Sequence, residues 1–341
     1  MANQTNTGTD RALMQRDRRS WLKSLGLAIF AVMALAACGR LPVETGDRAY
    51  HHLVVLGDPH LPGRRIEVKE QAIATVNSWH DVEMVVAVGD ICVDFGTEDE
   101  YKAAKRFFAR LNKPLMVITG NHDYVYADPH GSESRLITGT QASKEEKLRR
   151  FGHTFGLTSL YYSRQVGEYL LIFLSADHMN YLAGLSDEQL AWLRLELERN
   201  RQTPTIIFFH APLQGTLRNY RHWINTPGFV AQPAAVLHEI LTANRQVFLW
   251  VSGHTHTPPT EESYASEINL YAGQITNIHN KDMNRGQVWT NSLFLYPGKV
   301  QVKTYSHQEN AWMPQFDRLI SAPELKTYSD YHQCSAGDIR R

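Results

Sequence analysis

Five short, almost unbroken apolar runs, at residues 52–56, 84–88, 114–119, 205–209 and 246–251, each give way within a residue or two to polar side chains. Those that follow are Gly57-Asp58-Pro59-His60, Gly89-Asp90, Gly120-Asn121-His122-Asp123, His210 and Gly253-His254-Thr255-His256. Runs without polar alternation suit strands covered on both faces, which calls for a layered α/β core with parallel neighbours. Helical spacing between them agrees, with Ala72, Ile73, Val76 and Trp79 on one face and Tyr101, Ala104, Phe108 and Leu111 on another. In such sheets the loops beyond the strands' carboxyl ends converge, while the strands hold them rigid.

The polar residues at those ends are carboxylates, imidazoles and an amide oxygen, all of them metal donors. Burying so many without a cation would leave costly unpaired groups. Asp58 and His60, like His254 and His256, are two positions apart, so extended backbone would point both members of each pair to one side. Taken singly, each motif also reads as a turn, a loop start or a core histidine; their joint placement favours a site.

Further strands are expected at 161–163 and 169–174, and a helix from Ser186 with a Ser-x-x-Gln box. Another helix starts near Pro233. Residues 288–296 and 300–305 flank Pro297-Gly298 as a hairpin, expected to build a second, partly antiparallel sheet packed on the first. Residues 124–158 are polar and read as a surface excursion with one helix. The fold expected is α/β, a two-sheet sandwich flanked by helices in four α/β/β/α layers.

The ordered series D-x-H, G-D, G-N-H-D, H and G-H-x-H resembles the calcineurin-like metallophosphoesterase superfamily over most of residues 50–305. The resemblance implies two metal ions: Asp58, His60, Asp90 and His256 would hold one, and Asp90, Asn121, His210 and His254 the other, with Asp90 bridging. No ligand position is missing, unlike in scaffold members of the superfamily. It further implies attack by a metal-held hydroxide without a covalent phosphoenzyme. His122 would touch the phosphate and help protonate the leaving oxygen, with Asp123 orienting its ring. Mixed nitrogen and oxygen donors favour manganese, iron, zinc or cobalt over calcium or magnesium alone.

A small phosphate ester is the expected substrate, with a diester favoured over a monoester or a phospholipid headgroup; a non-catalytic metal-binding scaffold is the reading from another class. Substrate contacts could come from Tyr124, Tyr126, His130 and Arg135, from Arg218, Tyr220, Arg221, His222 and Trp223, or from Asn277, His279 and Asn280, each of which also reads as ordinary surface. Thirty-five basic and thirty-five acidic residues balance, so bulk charge indicates no nucleic-acid partner.

The amino terminus reads as a leader. Arg18-Arg19-Ser20-Trp21-Leu22-Lys23 resembles the twin-arginine signal read by the export machinery for folded proteins, and the apolar run 25–37 is shorter than the roughly 20 residues needed to span a bilayer. Leu35-Ala36-Ala37-Cys38-Gly39 resembles a lipobox, while Ala34-Leu35-Ala36 offers a competing cleavage site. The expected organisation is a signal peptide at 1–38, a linker at 39–49, a catalytic domain at 50–320 and a tail at 321–341. The expected location is periplasmic or cell-envelope, anchored by lipid on Cys38. Cys92 lies in an apolar segment and reads as a buried free thiol, pairing with Cys334 being the alternative.

Overall fold

The structure, a computed structural model, describes residues 49–129 and 135–325. It opens with strand β1 (His51–Leu56), helix α1 (Ile66–Ser78), strand β2 (Val82–Val88), helix α2 (Glu98–Phe108) and strand β3 (Leu115–Ile118). The single turn α3 (Asn121–Tyr124) and helix α4 (Gln141–Phe155) lead to strands β4 (Tyr162–Val166) and β5 (Tyr169–Phe173). Helix α5 (Asp187–Arg199), strand β6 (Thr205–Phe208), helix α6 (Ala234–Thr242) and strand β7 (Val247–Ser252) continue the alternation. The chain then forms strands β8 (Leu270–Tyr271), β9 (Ile275–His279), β10 (Trp289–Tyr296), β11 (Lys299–Ser306), β12 (Ala311–Trp312) and β13 (Arg318–Ser321).

Two sheets result. The first runs β12-β11-β10-β1-β2-β3, with β13 on β11, and its β1, β2 and β3 are parallel. The second runs β4-β5-β6-β7-β9-β8 and is parallel from β5 through β9. Strand periodicity assigns the layers. Leu53 and Val55 of β1 join Leu249 and Val251 of β7 in the core between the sheets. Val54 and Leu56 face the other way, against Ala72 and Ile73 of α1 and Tyr101 of α2. Trp250 of β7 faces out against Leu193 of α5 and Leu237 of α6. Successive strand side chains therefore serve alternate cores, and both must be apolar; this is the four-layer α/β/β/α sandwich.

Three local expectations need correction. The hairpin of β10 and β11 does not found the second sheet: β10 pairs antiparallel with β1, in register from His51↔Leu295 to Val55↔Asn291, and so widens the first. Residues 124–158 are not all surface, because Tyr124 is fully buried and Phe151 of α4 packs into the outer core. At α5, Ser186 Oγ accepts from Gln189 N as expected, but the Gln189 amide turns inward to bond both backbone groups of Ser175. A buried strand end outcompetes the helix cap for that side chain. Among the described residues no helix is long and apolar enough to cross a membrane.

Candidate metal centre

Strands β1, β2 and β3 of one sheet and β6 and β7 of the other deliver their carboxyl ends to one place. Donor atoms of Asp58, His60, Asp90 and His256 lie within 4.8 Å of one another, as do those of Asp90, His210 and His254. Asp90 belongs to both groups. Asn121 Oδ1 lies 3.1 Å from His210 Nε2, which brings the amide to the second group.

The backbone that achieves this is not extended. Asp58, His60, Asp90, His254 and His256 all have positive φ, between 34° and 63°, in the left-handed region that side chains with a Cβ avoid. Each turn folds the chain back as soon as its strand ends, so the paired residues converge by tight turning, and His254 and His256 serve different groups. Two glycines clear the space. A Cβ on Gly253 would stand 1.9 Å from Asp58 Oδ1, and one on Gly120 would stand 2.3 Å from Asp90 Oδ1. Each glycine thus makes room for a carboxylate from a different motif.

Hydrogen bonds fix the imidazole tautomers. His60 Nδ1 donates to Val93 O at 3.1 Å, His210 Nδ1 to Val88 O at 2.9 Å, and His254 Nε2 to Gly228 O at 2.9 Å. The opposite nitrogen of each is then the one that faces the cluster, the arrangement that orients histidine ligands. His256 Nε2 lies 3.3 Å from His60 Nε2 and 2.8 Å from Asp58 Oδ2. Four imidazoles and two buried carboxylates aimed at two points fit a pair of cations of the nitrogen-binding type.

Electrostatics follow from the same packing. Burial pushes Asp90 up, but His210, His122 and His60 outweigh it and hold the carboxyl well below the usual range. Burial would lower His210, yet Asp90 at 3.3 Å lifts it to about 9. His254, buried and beside His210, falls to about 3. His256 is raised, Asp58 overcoming the effect of burial. Protons on His210 and His256 thus compete with any cation for these donors.

His122 sits at the rim, its ring 5.0 Å from that of His60 and 5.2 Å from that of Tyr126. Its Nδ1 donates to Asp94 O at 3.0 Å, and its backbone N–H to Asp90 Oδ1 at 2.9 Å. The ring is therefore oriented by a main-chain carbonyl, not by Asp123 as the motif suggested. Asp123 accepts instead from the amides of Gly120, Cys92 and Ile91 at 2.7, 2.8 and 3.2 Å, tying the third motif to the second. Burial and the nearby Asp90 push its carboxyl up to about 7 against the pull of those amides.

The remaining singled-out residues divide. Tyr126 OH accepts from Asn121 Nδ2 at 3.1 Å and so reaches the centre, whereas Tyr124 OH donates to His178 O within the core. Arg135 is exposed and His130 lies outside the described residues, as do Cys38, Cys334 and the leader. Asn277, His279 and Asn280 are buried framework; Asn277 Oδ1 holds Leu213 N at 2.8 Å. Cys92 is buried and free. Sequence reasoning missed Lys69, fully buried with Nζ 2.7 Å from His60 O, and Asp282, whose Oδ2 lies 3.7 Å from His256 Nδ1. Lys69 was legible, because it shares the stripe of Ala72, Ile73 and Val76 at helical spacing. Nothing in the spacing marks Asp282.

Fold and site together define a class: two-sheet α/β sandwiches with twin donor clusters sharing one carboxylate at the strand ends. The calcineurin-like phosphoesterase family model matches residues 51–258, a span holding every one of these donors, and the chain belongs to that family of dinuclear, metal-dependent hydrolases of phosphate esters. A glycerophosphodiester phosphodiesterase of Enterobacter lignolyticus is 28% identical over 133 residues, which cover 38% of this chain and 42% of that protein. The chain thus matches less than half the length of that relative. Among solved structures, a purple acid phosphatase from yellow lupin superposes with a TM-score of 0.54 at 15% identity, over 86% of this chain and 56% of that one. A dimetal phosphatase from Danio rerio superposes with a TM-score of 0.53 at 14% identity, over 80% and 99%. At such identities these two show the fold alone.

Proposed function

We propose that the protein hydrolyses phosphodiesters at a two-metal centre held by Asp58, His60, Asp90 and His256 on one side and Asp90, Asn121, His210 and His254 on the other. The observation that carries this is the pair of donor clusters meeting at Asp90. Two cations in such a centre supply Lewis acidity and make water nucleophilic near neutral pH. The chain's own groups do the rest. Left-handed turns fix the donors before substrate arrives, so little reorganisation remains for the reaction step. With Nδ1 engaged by Asp94 O, His122 presents Nε2 to the substrate and, when protonated, donates to the leaving oxygen. Asp123 acts indirectly, by holding the His122 turn on the Asp90 loop.

Diester over monoester is supported by the Enterobacter lignolyticus relative, a phosphodiesterase by name. With manganese supplied, bis-para-nitrophenyl phosphate should be cleaved faster than para-nitrophenyl phosphate. A monoester rate far above the diester rate would overturn the preference, and a protein that binds two metals yet cleaves neither would point to a scaffold.

We also read the protein as exported and lipid-anchored in the cell envelope, on the strength of Arg18-Arg19 and the segment ending at Cys38. Replacing Cys38→Ser should move the protein from the membrane fraction to the soluble fraction. Equal membrane association of both forms would exclude the anchor.

A further inference from the structure

Between His210 and α6 the chain makes a closed loop, 212–231, with Ala231 N bonded to Pro212 O at 2.8 Å. Asn225 braces it from within, accepting from Gly215 N at 2.9 Å and donating to Leu217 O at 2.8 Å. Leu217, Ile224 and Val230 are buried beneath it. This ordered loop is fastened to the metal centre in three ways. Gly228 O accepts a hydrogen bond from His254 Nε2, the Phe229 ring stacks on the His254 ring at 5.0 Å, and Tyr220 OH meets Thr257 Oγ1 at 3.0 Å, one residue past His256.

On that loop the exposed Arg221 guanidinium lies over two rings, 5.5 Å from the Trp223 centroid and 5.9 Å from that of Tyr220. Trp223 in turn packs on Phe229 at 4.3 Å. Both rings under Arg221 are thereby tied to the G-H-x-H turn. Its neighbour Arg218 is neutralised by Glu262 at 2.6 Å, but no carboxylate among the described residues pairs with Arg221. Stacking on rings fixes a guanidinium while leaving its in-plane N–H groups free, which is how arginine takes phosphate in two parallel hydrogen bonds.

We propose that Arg221 is a specificity-determining residue that binds a second phosphate group of the substrate, so that preferred esters carry a phosphate beyond the one being cleaved. The proposal rests on the phosphodiesterase reading of the same centre and names its substrate class. Arg221 is linked to His254 through Trp223 and Phe229, so the substrate class inferred carries its two phosphates apart, across a spacer such as a sugar.

The test compares thymidine 5′-(para-nitrophenyl phosphate) with the same compound bearing a 3′-phosphate. Wild-type, manganese-loaded protein should favour the 3′-phosphorylated compound in kcat/KM by roughly tenfold, the scale of one charge-assisted contact, with the gain mainly in KM and shrinking as salt is raised. In Arg221→Gln the preference should vanish while the rate on bis-para-nitrophenyl phosphate stays unchanged, and Arg221→Lys should restore part of it. Calorimetric binding of thymidine 3′,5′-bisphosphate against thymidine 5′-monophosphate gives a readout free of turnover, expected to show the same difference and the same loss in Arg221→Gln. Equal binding of the two nucleotides by wild type, or a preference untouched by Arg221→Gln, would overturn the proposal. Selective binding without hydrolysis of any diester would leave Arg221 in its role and sink the phosphodiesterase reading instead.

Discussion

Replacing Asp90→Asn should lower diester hydrolysis by roughly a thousandfold, equivalent to about 4 kcal/mol of barrier, and should reduce bound metal from two ions to one or fewer. The side chain keeps its shape and one oxygen able to accept from His122 N, now at 2.9 Å, so the loops have little reason to move. What disappears is the charge shared by both donor groups. Asp90 Oδ1 lies 3.3 Å from His210 Nε2 and Oδ2 lies 3.8 Å from His60 Nε2, with the carboxylate only 1% exposed. No other acidic residue belongs to both groups among the described residues. Removing it also removes the main force holding the proton on His210, whose pKa should drop from about 9. Elemental analysis of the purified protein, alongside a thermal melt of the chelated form close to wild type, separates lost metals from lost fold. Two ions retained at wild-type rate would show that Asp90 does not bridge.

Most of the fold was legible because its strands are buried on both faces. Residues such as Leu53, Val54, Val55 and Leu56 serve two cores in alternation, and that demand writes a continuous apolar run into the sequence. The donors were legible for the complementary reason: a strand end is where apolar residues must stop. What sequence could not show was how neighbouring groups compete. Spacing placed Asp123 beside His122, but three unpaired amides at Gly120, Ile91 and Cys92 claimed the carboxylate, and a carbonyl at Asp94 took the ring. The Gln189 side chain was likewise drawn off its helix cap by Ser175. Asp58 and His60 converge as expected but through left-handed turns just past the strand end, and not through extended backbone. The hairpin, expected to build the second sheet, instead widens the first, because nothing in its residues marks which sheet edge it joins.

The second large effect is expected where nothing polar changes. Gly253→Ala adds one methyl group at a position whose Cβ would lie 1.9 Å from Asp58 Oδ1 and 3.0 Å from Asp58 Cγ. Asp58 has no room to yield gently. It is fully buried, accepts from His254 N at 2.8 Å and meets His256 Nε2 at 2.8 Å, so relief requires giving up one of those partners. The group of Asp58, His60, Asp90 and His256 should lose its geometry while Asp90, His210 and His254 keep theirs, since Gly253 N still bonds His210 O at 2.8 Å. Metal content should fall towards one ion, turnover by roughly a hundredfold or more, and stability by about 1–3 kcal/mol, the usual cost of overpacking. Gly215→Ala is the contrasting variant, with backbone strain and no clash. Its Cβ meets nothing within 4 Å, but φ is 81°, so it should cost about 1 kcal/mol of backbone strain and leave metal content and rate intact. Equal behaviour of the two variants would mean that the space beside Asp58 is not what Gly253 provides, since Gly253, unlike Gly215, does not sit at positive φ. A divergence in metal content at similar melting temperature would instead place the effect on the carboxylate itself.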